Sequence, residues 1–254
     1  MMDAITQIKD LLKSSENEEQ LTAFIERFGS DERAGVQKLV ESADKKLDLL
    51  HKEIERIEAM KKYERENASL GLLCGIDEVG RGPLAGPVYA AAVILPTDCN
   101  ILYLNDSKKL SEKKREELYD VIMEKAVAVG IGSNSCERID EINILQATYE
   151  AMTKAVKSLS VKPGGLLIDA VHIPQLEEYK QVSIIKGDAK SVSIAAASIV
   201  AKVTRDRIMK DYAKEYPQYG FDSNKGYGSA DHIAALKKYG PCPIHRRSFI
   251  GNFV

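Results

Sequence analysis

Short apolar runs alternate with longer helix-like segments from residue 71 onward, and this pattern restricts the fold more than any other feature of the sequence. We predict strands at 72–76, 88–95, 127–133, 165–169 and 181–186. We predict helices at about 111–126, 142–159, 191–216 and 229–240. Because the early strands are consecutive and the later ones alternate with helices, the pattern favours a mixed sheet with helices on both faces. The predicted fold class is α/β.

Residues 1–70 differ from the rest because they lack strand-like runs and hold 12 Lys and Arg against 16 Asp and Glu. We predict short helices at 3–14 and 18–28 and one long helix at about 32–65. We therefore divide the chain into an acidic helical extension, 1–70, and a main domain, 71–254, whose C-terminal part is helical.

The long N-terminal helix carries apolar residues at alternating spacings of four and three, the a/d seam of a short coiled coil. Residues 36–57 provide this seam, which either packs on the chain's own short helices or serves self-association or docking of a partner protein. The seam residues are Val36, Val40, Ala43, Leu47, Leu50, Ile54 and Ile57.

Composition limits the function classes. The formal net charge of −2 over 254 residues means that any nucleic-acid site must be a local patch. No run of 18 apolar residues and no signal-peptide core occurs, so we expect a cytoplasmic protein without a membrane span. The four cysteines are widely spaced without a C-x-x-C pair, which indicates reduced thiols and neither a disulfide framework nor a zinc site.

Acidic residues stand at the ends of three of the predicted strands: Asp77-Glu78, Asp169 and Asp188. Any one of them alone is better explained as a loop cap or an ion-pair partner, but ligand sites of α/β sheets gather at strand ends. Carboxylate ligands suit Mg²⁺ or Mn²⁺, and two such ions about 3.5–4 Å apart support phosphodiester hydrolysis. Since neighbouring strand residues point to opposite faces, Asp77 and Glu78 share one site only if the strand ends or bends there.

Two glycines flank Arg81, so the backbone of Gly80 and Gly82 can approach a ligand closely while the arginine offers a cation for phosphate. The alternative is a plain glycine turn. The segment matches neither the dinucleotide fingerprint, because Ala85 replaces the third glycine, nor a P-loop.

Basic and aromatic candidates lie further along the chain. Lys108 and Lys109 precede a helix and are either phosphate contacts or part of a solvated turn. Tyr227 lies between two glycines, where it either stacks on a base or sugar or packs over a loop. Residues 245–249, HRRSF, are expected to form a small cationic patch, and His232 is expected to be a local hydrogen-bonding residue, as is His172.

The chain resembles bacterial ribonuclease HII over about residues 70–254 in six segments: GIDEVGRGPLAGPV, NDSKKL, LLIDAVHIP, KGDAKSVSIAAASIVAKVTRDR, KGYGSADH and HRRSF. The resemblance implies an RNase H-like fold with a five-stranded mixed sheet. It also implies metal-dependent cleavage of RNA in RNA–DNA hybrids and incision 5′ to single ribonucleotides in duplex DNA, leaving 3′-hydroxyl and 5′-phosphate ends. The expected partners are therefore such hybrids and ribonucleotide-containing DNA duplexes, in DNA replication and repair.

The resemblance also implies roles for individual residues. The catalytic metal ligands would be Asp77, Glu78, Asp169 and Asp188, holding two Mn²⁺ or Mg²⁺ ions in the substrate complex. The ribose 2′-hydroxyl would be read by Gly80, Arg81 and Gly82, the junction between ribonucleotide and deoxyribonucleotide would be stacked by Tyr227, and backbone phosphates would be held by Lys108 and Lys109.

Four alternatives stay open. A ribonuclease HIII-like enzyme would cleave hybrids without single-ribonucleotide incision, but that relative typically carries a lysine in the glycine motif, where this chain has Arg81. A non-catalytic nucleic-acid-binding module, a partner-binding scaffold built on the heptad segment and a carboxylate-metal DNA nuclease are the others. The N-terminal extension is a departure from compact members of the family, and its net charge of −4 argues against a DNA-binding arm.

Overall fold

The computed structural model describes residues 4–253, and the chain divides into two compact units between Ala59 and Met60. The N-terminal unit contains α1 (Ile5–Ser14), α2 (Glu18–Phe28) and nearly all of α3 (Ala34–Met60). The predicted start of the first helix at residue 3 lies outside the described residues. A single helix over 32–65 is wrong, because Lys61 leaves helical geometry with ψ 6° and a separate short helix, α4 (Lys62–Glu66), follows it.

The N-terminal unit has its own small core of apolar side chains. The buried residues of α1 and α2 are Ile8, Leu12, Leu21, Phe24 and Phe28. The Nζ atom of Lys46 in α3 donates to the carbonyl oxygen of Leu12 at 3.1 Å. Most of the predicted seam is buried in the folded chain, whereas Ile54 is 36% exposed. Association through residues 36–57 stays a prediction.

The second unit is built on a five-stranded mixed sheet, whose strands are β1 (Leu73–Val79), β2 (Val88–Ile94), β3 (Ala128–Asn134), β4 (Gly165–Asp169) and β5 (Lys180–Ile184). Their order across the sheet is β3-β2-β1-β4-β5. The first three strands along the chain pair in an antiparallel manner, and β4 pairs in parallel with both β1 and β5. This architecture confirms the predicted mixed sheet flanked by helices, with a helical N-terminal region.

Helices cover both faces of the sheet. The longest two in this unit are α6 (Cys136–Lys157) and α7 (Val192–Glu215). Gly75 of β1 lets α7 approach closely, because a Cβ atom there would lie 2.1 Å from the carbonyl carbon of Ser193. Among residues 4–253, no helix has both the length and the apolarity needed to cross a bilayer. The unit also contains α5 (Glu112–Lys125), α8 (Phe221–Asn224), α9 (Ala230–Tyr239) and α10 (Arg247–Ile250).

The predicted helix over 142–159 corresponds to only part of α6, which begins at Cys136 with Ser135 as its N-cap. Asn143 interrupts α6 with a φ of 68°, and its side chain accepts from the backbone nitrogen of Leu145 at 3.0 Å. The asparagine therefore caps the second half of α6, which is why the helical pattern begins there in the sequence.

Candidate active site

The carboxylates of Asp77 and Asp169 lie at the same level on two neighbouring parallel strands. Ile76 of β1 pairs with Ile168 of β4, and the two aspartates are the next residue on each strand. Asp77 is only 6% exposed. The Oδ1 atom of Asp169 accepts from the backbone nitrogen of Gly187 at 2.7 Å, which fixes the short turn that carries Asp188 beside the end of β4.

The first strand does not end at its acidic pair, contrary to the sequence prediction. It continues to Val79, because Glu78 pairs with Ala90 and Val79 pairs with Tyr89 of β2. Beyond Ile76, however, β1 has no partner in β4. Asp77 and Glu78 nevertheless line one cavity of about 250 Å³.

Burial and repulsion from neighbouring carboxylates destabilise the charged forms of Asp77, Glu78 and Asp188. Burial raises the pKa of Asp77 well above its usual range, and the charges of Glu78 and Asp169 add to this effect. Burial also raises the pKa of Glu78, although the guanidinium of Arg81 opposes the shift, with its Nη1 atom 3.4 Å from Oε1 of Glu78. Burial raises the pKa of Asp188, and repulsion from nearby carboxylates adds to it. A bound cation would relieve this repulsion.

The donor set fits a divalent cation of the magnesium or manganese class in chemical type. Its side chains offer only carboxylate oxygens, which are the ligands that these ions prefer. Within residues 4–253, no three His, Cys, Asp or Glu side chains already stand close enough together to hold a metal ion. The carboxylates of the described residues therefore interact through their charges without forming a closed cage of protein ligands.

The cavity brings together some of the predicted site residues and adds others. Lys108 and Tyr227 line it with the acidic pair, whereas Lys109 is exposed and is not part of the described lining. Ser198 of α7 was not predicted, and its hydroxyl donates to Oγ of Ser107 at 3.0 Å. The full lining comprises Asp77, Glu78, Val79, Ser107, Lys108, Ser198, Lys202 and Tyr227.

Lys202 is a cation in this lining that the sequence analysis missed. Its Nζ atom donates to Oδ1 of Asp206 at 2.7 Å, and burial lowers its pKa. Ser198 and Lys202 are four residues apart in α7, so they lie on the same side of the helix. Two polar residues with this spacing in a mostly apolar stretch of the sequence were the available signal.

The glycine segment adjoins Tyr227. Gly80 has a φ of +90°, and a Cβ atom there would lie 2.3 Å from Nε of Arg205, so no other residue fits without rearrangement. A Cβ atom on Gly82 would lie 3.8 Å from Cε1 of Tyr227. Arg81 and Gly82 are exposed, and Tyr227 is 44% exposed. An exposed aromatic side chain therefore lies next to exposed backbone.

Two buried arginines hold the loop that follows β1. Arg205 donates to the carbonyl oxygens of Ala85 at 3.1 Å, Pro87 at 3.0 Å and Lys225 at 2.9 Å. It therefore connects this loop to the segment that carries Tyr227.

Arg246 donates to the carbonyl oxygens of Gly80, Arg81 and Gly86. The predicted cationic patch at 245–249 is therefore wrong, because His245 and Arg246 are buried and the guanidinium of Arg246 is used by loop carbonyls. The motif that carries Arg246 was visible in the sequence, but its burial was not, since arginine is rarely buried.

Comparisons with known proteins agree over most of the chain. The family model for ribonuclease HII matches residues 74–252, and a separate model for the ribonuclease HII N-terminal domain matches residues 4–68. The extension is thus a recurrent domain of the family. The chain is 63% identical to a ribonuclease HII of Lachnoclostridium phytofermentans over 89% of each chain. It is 53% identical to that of Bacillus licheniformis over 96% of this chain and 95% of the relative.

Solved structures lead to the same family. The crystal structure of the ribonuclease H2 from Pyrococcus horikoshii OT3 matches with a TM-score of 0.58 and 30% identity. The match covers 69% of this chain and 92% of that one. The chain therefore belongs to the ribonuclease HII family and is a hydrolase of the type 2 ribonuclease H class.

Proposed function

We propose that the protein cleaves RNA in RNA–DNA hybrids and also incises duplex DNA 5′ to a single embedded ribonucleotide, leaving 3′-hydroxyl and 5′-phosphate ends. Family membership supports the activity on hybrids. Incision at a single ribonucleotide is supported by one observation. The acidic pair Asp77-Glu78 and Tyr227 line the same cavity, and Gly82 lies beside the tyrosine. The chemistry and the recognition of a ribonucleotide then take place next to each other.

The carboxylates are proposed to be the ligands of the reaction's divalent cations. When bound, two Mg²⁺ or Mn²⁺ ions would supply an activated water and stabilise the leaving oxygen of the phosphodiester. The four proposed ligands are Asp77, Glu78, Asp169 and Asp188, and the mutual repulsion of their charges supports this assignment.

The chain's own cations would hold the substrate. Lys108 lines the cavity, and its charge acts on both Glu78 and Asp188, so a phosphate near these acids would meet a compensating cation. Lys109 follows in the same turn and is exposed, and we propose that it contacts a phosphate further along the strand. Such contacts position the sugar–phosphate backbone of the substrate independently of its base sequence.

The glycine segment and Tyr227 are proposed to select ribonucleotides. RNA and DNA differ at a given site by the 2′-hydroxyl, which backbone groups of Gly80, Arg81 and Gly82 would contact. The ring of Tyr227 would stack at the junction between the ribonucleotide and the next deoxyribonucleotide. This arrangement favours single-ribonucleotide incision over the ribonuclease HIII-like alternative. The presence of all four acids argues against a non-catalytic binding module.

Product mapping tests the proposal. A long RNA–DNA hybrid and a DNA duplex with one ribonucleotide, both end-labelled, are incubated with protein and Mg²⁺ or Mn²⁺. We expect cuts throughout the RNA strand of the hybrid and one nick 5′ to the single ribonucleotide. Cleavage of the hybrid alone would indicate the ribonuclease HIII-like activity, and retained binding without any cleavage would indicate the non-catalytic module.

A further inference from the structure

A row of hydrogen bonds runs through the interior from the backbone of Cys242 to the backbone of Tyr227. The backbone nitrogen of Cys242 lies 3.0 Å from Nδ1 of His245. Nε2 of His245 lies 3.0 Å from Nε2 of His232, and Nδ1 of His232 lies 2.8 Å from the carbonyl oxygen of Tyr227. Both imidazoles are buried, with the ring of Phe221 against them.

The two ends of this row fix the position of every proton in it. The carbonyl oxygen of Tyr227 can only accept, so Nδ1 of His232 must carry a hydrogen. The backbone N–H of Cys242 can only donate, so Nδ1 of His245 must be bare. With one proton on each neutral imidazole, Nε2–H of His245 donates to Nε2 of His232, and both ends require this same arrangement. Burial lowers the pKa of His232 and brings that of His245 to about 4, which keeps both rings neutral near pH 7.

The row fixes the backbone under an exposed ring. The carbonyl oxygen of Tyr227 accepts from Nδ1 of His232 and also from the backbone nitrogen of Ser229 at 2.8 Å. The ring itself stays 44% exposed beside Gly82. A ring whose backbone is already fixed loses less conformational freedom when it stacks on a substrate.

We propose that His232, oriented by His245, is a positioning residue for Tyr227 during incision at a single ribonucleotide. It acts through the backbone of Tyr227 without touching the substrate. The inference rests on the proposed stacking role of Tyr227.

Two matched substitutions separate the two nitrogen atoms of His232. His232→Asn places its amide near the former Nδ1 and keeps a donor for the carbonyl oxygen of Tyr227. His232→Gln places its amide near the former Nε2, so it keeps a contact with His245 and loses that donor. For each variant, kcat/KM is measured on the single-ribonucleotide duplex and on a long hybrid. We expect the ratio of the two values to fall about tenfold in His232→Gln and to stay near the wild-type ratio in His232→Asn.

Tyr227→Ala and the double variant with His232→Gln distinguish failure of this inference from failure of the proposed function. If Tyr227→Ala lowers activity equally on both substrates, the stacking role is wrong. The positioning role is supported when His232→Gln reproduces the Tyr227→Ala profile, whatever that profile is, and has no further effect in the double variant. Equal profiles for the Gln and Asn variants, or full additivity in the double variant, would overturn it.

A measurement on the unaltered protein covers the case in which substitutions at this buried site prevent folding. Nitrogen-15 chemical shifts of the imidazoles report which ring nitrogen is protonated. We expect a proton on Nδ1 of His232 and on Nε2 of His245, and any other arrangement overturns the inference.

Discussion

The guanidinium of Arg246 donates from Nη1 to the carbonyl oxygen of Arg81 at 2.8 Å, so a buried arginine fixes the backbone of an exposed one. The same guanidinium donates to the carbonyl oxygens of Gly80 and Gly86. The shape of the exposed loop thus depends on a residue more than 160 positions later in the chain. Substrate contacts proposed for this loop therefore require the C-terminal segment to be folded.

Replacing Arg246 by Met is expected to destabilise the fold by about 3 kcal/mol or more, because three loop carbonyls lose a buried charged donor. Arg246→Lys keeps the charge but not the fork of donors, so a smaller loss is expected. Denaturant unfolding measures the free energy of unfolding of both variants. The exposed neighbour Arg247 offers the matched control, and Arg247→Met is expected to change stability by less than about 0.5 kcal/mol. Equal losses at the two positions would contradict the role of Arg246.

Asp77→Asn is expected to lower the cleavage rate more than about a hundredfold while substrate binding survives, since a metal ligand supplies several kcal/mol of transition-state stabilisation. Rates are measured at saturating Mn²⁺, and binding is measured by a gel-shift assay. Asp120→Asn makes the same chemical change at an exposed position of α5 and should leave the rate unchanged. Substantial turnover by Asp77→Asn would exclude its role as a ligand.

Metal-free protein is expected to lose stability as the pH rises above the usual Asp value of 3.8, because the raised pKa of Asp77 keeps its proton bound in the folded state. Below 3.8 both states are protonated, and between 3.8 and the raised pKa only the unfolded state loses its proton, so rising pH favours unfolding. In EDTA, the Tm of Asp77→Asn should therefore rise relative to that of the wild type as the pH increases above 3.8.

Added Mg²⁺ should then raise the Tm of the wild type more than that of Asp77→Asn, because a ligand stabilises the state that binds it. A Tm difference that stays constant across pH and metal concentration would show that the pKa of Asp77 is not raised in the folded protein and that Asp77 does not bind the added metal.

Tyr227→Ala is expected to lower incision at single ribonucleotides by about tenfold to a hundredfold, the value of one stacking contact, and to affect long hybrids less. A hybrid offers many equivalent cleavage positions without a DNA junction. Steady-state rates on both substrates provide the comparison. Tyr239 is 54% exposed at the end of α9, so Tyr239→Ala serves as the matched loss of an exposed ring. The stacking role is wrong if Tyr227→Ala reduces both activities equally.

Deleting residues 1–59 is expected to leave the chemistry intact, because the compact unit that contains the site begins at Met60. Deleting 1–65 also removes Glu64, whose Oε1 atom accepts from Oγ of Ser191 at 2.6 Å and from the backbone nitrogen of Ser193 at 3.0 Å. These residues begin α7 just after the turn that carries Asp188. The longer deletion should therefore lower both Tm and activity further, and identical behaviour of the two truncations would rule out this role of Glu64.

The sequence allowed prediction of elements whose pattern is local. Apolar runs located all five strands within a few residues. The part of α6 that precedes Asn143 was not predicted, because Asn143 interrupts the helix and the sequence pattern indicated a helix only from residue 142 onward. Continuation of β1 through Glu78 depends on pairing with β2, which is a non-local contact.

The candidate site was only partly predictable, because several of its features also depend on non-local contacts. Acidic residues at strand ends are visible in a sequence because a charge next to a buried apolar run is costly unless another group pairs with it. Lys202 and Arg246 lie in motifs that the sequence analysis recorded, but whether a cation is buried depends on carbonyls and carboxylates from distant segments. The row from His232 to His245 likewise joins residues that are brought together only by the fold.

The central claim is that a metal-dependent reaction takes place next to groups that recognise one 2′-hydroxyl. The most direct test uses three duplexes that differ at one nucleotide, which is ribose, deoxyribose or 2′-O-methylribose, each with EDTA, Mg²⁺ or Mn²⁺. We expect a nick 5′ to the ribose in the presence of metal and no nick in any other combination. Cleavage of the deoxyribose duplex, or cleavage of the ribose duplex in EDTA, would contradict the account.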